Sequence, residues 1–231
     1  MRLESQQVEV HGHRLHRLIM HPESDVSVRA NALFYHGQGD YAERYPCVLD
    51  IFTRHGIRCM VTDLPGHGHS PGRRGHCGDE KMLDAVIRSS LEAMGDLPYG
   101  VMGHSMGGMI GILHALEYPE QFSAIALSGP ASDVSIPVPK FKKFLGNTMS
   151  SWMPRLTITN NIDPAVVCSD PKVVEDYMSD PFTHGKVTTR WFSEYMKSVE
   201  RVKQDAHQIS TPIAIWHGEG DALVEPWVSE E

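Results

Sequence analysis

The 231-residue chain predicts an α/β domain, a mostly parallel sheet with helices on both faces. Three observations predict it. Strand-like and helix-like runs alternate as far as Pro130, an apolar strand signal returns at Thr211–Trp216 after a long interruption, and a glycine-bracketed serine, Gly103-His104-Ser105-Met106-Gly107, stands between a short apolar run and a helix.

Taken in order, Gln7–Val10 and Arg14–Met20 read as an antiparallel hairpin, and Ala32–Tyr35 and Arg58–Thr62 as buried strands. Between these two strands, Tyr45, Val48, Leu49 and Phe52 recur at i, i+3, i+4 and i+7 as one apolar helix face, which Gly56 ends. Asp79–Met94 is a second amphipathic helix, acidic in its first turn, with Met82, Leu83, Val86, Ile87, Leu91 and Met94 on one side. A strand ending at Met102, an apolar helix after Ser105 and the strand Ser123–Ser128 complete the first run. Residues 130–210 interrupt the alternation and read as an inserted cap, leaving 1–129 and 211–231 as the body. The cap carries ten Lys and Arg against nine Asp and Glu, whereas the remainder carries eleven against twenty. Within it Phe141, Phe144, Leu145, Met149, Trp152 and Met153 recur near helical spacing beside Lys140, Lys142 and Lys143. A lid closing over an acyl chain or touching a lipid surface has this pattern, and so does a helix packed on the body.

The net charge of −8, with no block of Lys and Arg, argues against nucleic acid. The polar start is no signal peptide and no run is long enough to span a membrane, so a cytoplasmic protein is expected, with transient membrane-surface contact through the cap. Cys47, Cys59, Cys77 and Cys168 lack CxxC spacing and read as reduced thiols. Of the 14 histidines, His11, His13, His16, His67, His69 and His76 invite a metal reading, but none pairs with another ligand at i, i+4 within a predicted helix, as a helical zinc site would, so no metal and no cofactor is expected.

The chemistry is read at Ser105. A serine on a strand-to-helix turn is held in strained φ/ψ, and side chains two positions either side would collide, which is why Gly103 and Gly107 bracket it. His36-Gly37-Gln38-Gly39 follows the strand ending at Tyr35 and can turn the Gln38 amide toward the serine. The Met106 amide, at the start of the next helix, is the second expected oxyanion donor. An orienting acid belongs after a later strand, and Asp221 in Trp216-His217-Gly218-Glu219-Gly220-Asp221 stands there, with Glu219 and Asp133 as alternatives.

Together with Asp63-Leu-Pro-Gly-His-Gly-His-Ser70, Ser169–Tyr177 and Arg190-Trp-Phe192, these motifs make nearly the whole chain resemble the monoacylglycerol lipase and lysophospholipase-like branch of the α/β-hydrolases. The resemblance implies an α/β-hydrolase fold, a lid-covered acyl pocket that Phe144, Met149 and Trp152 would line, a covalent acyl-serine intermediate, a small lipid ester as partner and no cofactor. It also implies structural roles for His104 and His217. Related dehalogenases and epoxide hydrolases place Asp where Ser105 stands and are disfavoured.

The family's catalytic histidine follows its acid, yet ten residues follow Asp221 and none is histidine. The last strand and helix of the fold are likewise missing, so the natural protein is expected to be longer. The other readings are a base recruited from His184 or His207, or a non-catalytic ligand-binding module that keeps the pocket without the triad histidine.

Overall fold

The computed structural model describes residues 1–133, 150–159, 162–163 and 166–229. The chain opens with a hairpin, β1 (Arg2–Val10) and β2 (His13–His21), whose two-residue loop has φ of 49° at His11 and 75° at Gly12. Positive φ at both loop positions matches the right-handed twist of the strands it joins. β3 (Ala30–Tyr35), α1 (Pro46–Arg54), β4 (Ile57–Thr62), α2 (Glu80–Met94), β5 (Tyr99–His104), α3 (Met106–Glu117) and β6 (Ile125–Ser128) follow in alternation. The next stretch holds a small antiparallel pair, β7 (Thr157–Thr159) with β8 (Lys186–Thr188), and the helices α4 (Pro171–Ser179) and α5 (Thr189–Asp205), before β9 (Ile213–Trp216) rejoins the main sheet.

The main sheet runs β1-β2-β4-β3-β5-β6-β9, antiparallel across β1, β2 and β4 and parallel from β4 onward. Strand alternation divides the core between its two faces. Leu33 and Tyr35 of β3, Met60 of β4 and Val101 of β5 join one apolar cluster with side chains of α2, α3 and α5. Ala32, Phe34, Cys59, Val61 and Met102 point the other way and pack with Tyr45 and Leu49 beside α1. Helices therefore cover both faces, as the sequence predicts.

The differences are local. β1 begins five residues earlier than the hydrophobic pattern suggests, because an edge strand needs only every second side chain inward. Val48, expected on the buried face of α1, is 50% exposed; that helix buries Leu49 and Thr53 and turns Val48 and Ile51 to solvent. α2 starts as expected, with the Asp79 carboxylate accepting from the Met82 amide as its cap. The stretch read as a cap ends in α5, whose Val199 and Val202 enter the core of the body. No helix among the described residues is long and apolar enough to cross a membrane.

Candidate active site

Ser105 sits between β5 and α3 at φ 54° and ψ −118°, a left-handed conformation rare for any residue with a side chain. Backbone on every side enforces it. Its amide donates to the Ser128 carbonyl at 2.9 Å, and its own carbonyl accepts from Ala131 at 3.0 Å and Gly108 at 2.9 Å. A Cβ on Gly103 would lie 2.2 Å from the Gly107 carbonyl oxygen, and one on Gly107 would lie 2.0 Å from that of Tyr35, so neither position has room for a side chain. Over-determination of this kind is what lets strained backbone persist at a reacting centre.

Facing the elbow is the loop after β3. A Cβ built on Gly37 would fall 3.7 Å from the Ser105 Cβ, which sets the two turns side by side. The loop is braced from below. The Gly37 amide donates to the Tyr45 hydroxyl at 3.2 Å, that hydroxyl donates to Asp40 at 2.7 Å, and Asp40 pairs with Arg44 at 2.9 Å. His36, fully buried, accepts the Leu64 amide on Nε2 at 3.0 Å and donates from Nδ1 to the Gly37 carbonyl at 2.8 Å. The two expected oxyanion donors are among the amides left over. Among the described residues neither the Gln38 nor the Met106 N–H donates to a protein group, the latter because it opens α3 and has no partner within the helix.

A strap remote in sequence, residues 184–188, lies across this loop. The His184 amide donates to the Gly39 carbonyl at 3.0 Å, and the Gln38 side-chain amide donates to the Lys186 carbonyl at 3.0 Å. The His184 ring donates from Nε2 to the Gly66 carbonyl at 3.2 Å and accepts the Lys186 amide on Nδ1 at 3.3 Å. Both its nitrogens are thus engaged in holding the strap, and burial keeps its pKa below the ordinary histidine range. His207 is exposed on a short turn after α5.

Asp221 lies beyond the end of β9. Its Oδ1 accepts the Leu223 and Val224 amides at 2.8 and 3.0 Å, and its Oδ2 lies 3.4 Å from Nε2 of His217. His217 Nε2 also donates to the Val224 carbonyl at 3.0 Å, and its Nδ1 bonds the Ser229 hydroxyl at 2.6 Å. Of the alternatives, Asp133 is paired with Lys203 of α5 at 2.7 Å, and Glu219 is exposed. His104 bonds Ser128 through Nδ1, its pKa lowered by burial. No histidine among the described residues hydrogen-bonds the Ser105 hydroxyl.

Sequence reasoning missed the supports behind the elbow. The Trp191 indole of α5 donates to the Met106 sulfur at 3.4 Å and stacks on Tyr195, whose hydroxyl bonds the carbonyls of Ala131 and Asp133. These aromatics, with Met106, Met109, Leu83 and Ile87, line an apolar cavity of about 200 Å³ between α2, α3 and α5. Within the core, His114 of α3 is held between the Tyr35 and Tyr99 hydroxyls at 2.7 and 3.2 Å, and burial pulls its pKa down to about 4. Trp152, expected over the pocket, is 85% exposed; Phe144 and Met149 lie outside the described residues.

Residues 26–231 match the Hydrolase_4 family, described as serine aminopeptidase, S33. An abhydrolase domain-containing protein of Dictyostelium discoideum is 30% identical over 87% of the chain, which spans 22% of that protein's length. The monoacylglycerol lipase of Mycolicibacterium smegmatis is 30% identical over 87% of the chain and 73% of its own length. The crystal structure of the Paleococcus ferrophilus monoacylglycerol lipase superposes with a TM-score of 0.85 at 28% identity, covering 94% of this chain and 82% of that one.

Proposed function

Because the chain belongs to the Hydrolase_4 family of α/β-hydrolases, we propose that it is a serine esterase hydrolysing the carboxylic ester of a monoacylglycerol or similar single-chain lipid. The observation that carries the reading is the pair of unengaged amides, Gln38 and Met106, beside a serine held at φ 54°. Donors already in place where an oxyanion will develop need no reorganisation during reaction, and each contributes about 3 kcal/mol to its stabilisation. The mycobacterial relative's name supports the choice of substrate.

In this reading the Ser105 oxygen attacks the ester carbonyl carbon while a histidine oriented by Asp221 takes the hydroxyl proton. The carbonyl oxygen becomes the oxyanion and receives the Gln38 and Met106 N–H groups. Collapse breaks the bond to the alcohol oxygen, which leaves with the proton, and water then releases the acyl group from Ser105. Residues 130–210 serve as the cap over a body of 1–129 and 211–231, and Phe144, Met149 and Trp152 supply apolar area for the acyl chain.

Reaction of the protein with an alkyl phosphonate, followed by mass spectrometry, should label Ser105 alone. Ser105→Ala should abolish labelling and lower monoacylglycerol hydrolysis by on the order of 10⁶-fold, as loss of the nucleophile does in a serine protease. Labelling that survives the substitution would remove Ser105 from the role. A ligand-binding role without turnover is the second reading, favoured by the absence, among the described residues, of a histidine on the Ser105 hydroxyl. It predicts monoacylglycerol binding with neither labelling nor product.

A further inference from the structure

Away from Ser105, four metal-ligating side chains from four separate segments converge. His16 projects from β2, Glu43 from the short turn that precedes α1, Asp63 from the end of β4 and His69 from the loop beyond it. Ligand atoms of His16, Glu43 and Asp63 all lie within 4.8 Å of one another. Glu43 Oε1 stands 3.3 Å from His16 Nε2 and 3.6 Å from His69 Nε2. Ligands about 2.0–2.2 Å from a tetrahedral zinc ion are separated by roughly 3.3–3.6 Å, so Glu43 Oε1 stands from each histidine as one donor on an ion stands from the next, and His69, exposed on its loop, is the donor that turns in to complete the set.

Three further observations point the same way. The fully buried Asp63 accepts from His16 Nδ1 at 3.1 Å, which fixes the tautomer that leaves the Nε2 lone pair available. A carboxylate behind a histidine in this way is the usual outer partner of a metal-ligating imidazole. Glu43 Oε2 is closed off from solvent and has no hydrogen-bond partner among the described residues, a cost a cation would remove. No lysine or arginine among the described residues pairs with Glu43 or Asp63, and the basic side chains within ion-pair distance of them are the two imidazoles.

We propose that His16, Glu43 and His69 bind a divalent transition-metal ion of the zinc type, with Asp63 orienting His16 from behind. Asp63 stays out of direct contact because its oxygens already hold the Ala42 and His69 amides as well as His16. The Ser5 hydroxyl, 2.9 Å from His16 Nε2, gives way to the ion. An ion here would rivet the hairpin, the turn after the candidate oxyanion loop and the 63–70 loop together, a structural role independent of the ester chemistry.

Zinc titration of the metal-stripped protein by calorimetry, and cobalt titration followed by visible absorption, test this directly. One equivalent of zinc should bind, and cobalt should give the d–d bands of a low-coordinate site. Glu43→Gln and His69→Gln, both at partly exposed positions, should each weaken zinc binding tenfold or more with circular dichroism unchanged, since even outer partners of a metal contribute that much. Wild-type protein that binds no equivalent of zinc would overturn the proposal. So would folded variants that bind zinc as tightly as the wild type, because binding would then rest on other histidines.

Discussion

Around Ser105 hydrogen bonds and packing come from several separate elements, whereas around Asp221 they come mainly from its own loop. β5 and α3 bury almost every residue, and the elbow between them is fastened by β6, by Ala131 and, through Met106, by Trp191 of α5. β9 lies at the edge of the sheet, with Ile213 and Trp216 45% and 62% exposed, and Asp221 is held mainly by amides two and three residues further along. Strained backbone needs packing to persist, while a carboxylate that only accepts hydrogen bonds needs nearby donors. The position of Ser105 therefore rests on contacts spread through the core, and the hydrogen bonds that hold Asp221 come mainly from its own loop.

The largest effect that would sharpen this contrast is chemical. Asp221→Asn should leave the fold intact and lower kcat by roughly 10⁴-fold if Asp221 orients the base, the loss seen for the equivalent change in a serine protease. A loss under tenfold would move the role to Glu219 or Asp133. The next effect lies in the packed half. His114 is buried neutral with a pKa of about 4 against an ordinary 6.5, so the unfolded chain takes up its proton first as pH falls. Its contribution is intact above pH 6.5 and is lost between 6.5 and about 4, which at about 1.4 kcal/mol per unit comes to about 3 kcal/mol. Denaturant unfolding at pH 7 and pH 4 should show that much less acid sensitivity in His114→Gln than in the wild type. Equal sensitivity would mean that the core around α3 admits water. The smallest effect is expected at the cap, where Trp152→Ala should reduce hydrolysis of a long-chain monoacylglycerol several-fold more than that of a short acetate ester. Equal losses would give Trp152 a packing role instead.

Much of the elbow was legible because local chemistry dictates it. Gly103 and Gly107 are written into the sequence by carbonyls that leave no space for Cβ, and the alternation of Ala32–Tyr35 gives both faces of a central strand. What stayed hidden depends on partners remote in sequence. Nothing around Tyr35 announces His114, and nothing around Gln38 announces Lys186, since a hydrogen bond between distant segments leaves no periodic trace. The same limit explains the histidines: a search for ligands at i, i+4 misses His16, Glu43 and His69, which approach one another only once two loops and a hairpin are assembled. Val48 misled for the opposite reason, because α1 shows a wider apolar stripe than the sheet beneath it covers.

The strap at 184–188 sets a rule for exchanging caps between relatives. Its carbonyls approach Gly39 and Gly75 so closely that a Cβ on either would fall about 2 Å away, and its amides tie both loops, His184 to Gly39 and Thr188 to Gly75. A chimera that joins foreign cap sequence before His184 keeps this native seam. One that joins it after Thr188 lays a foreign backbone against the loop bearing Gln38, so a graft confined to the proposed cap would also disturb the turn that faces Ser105.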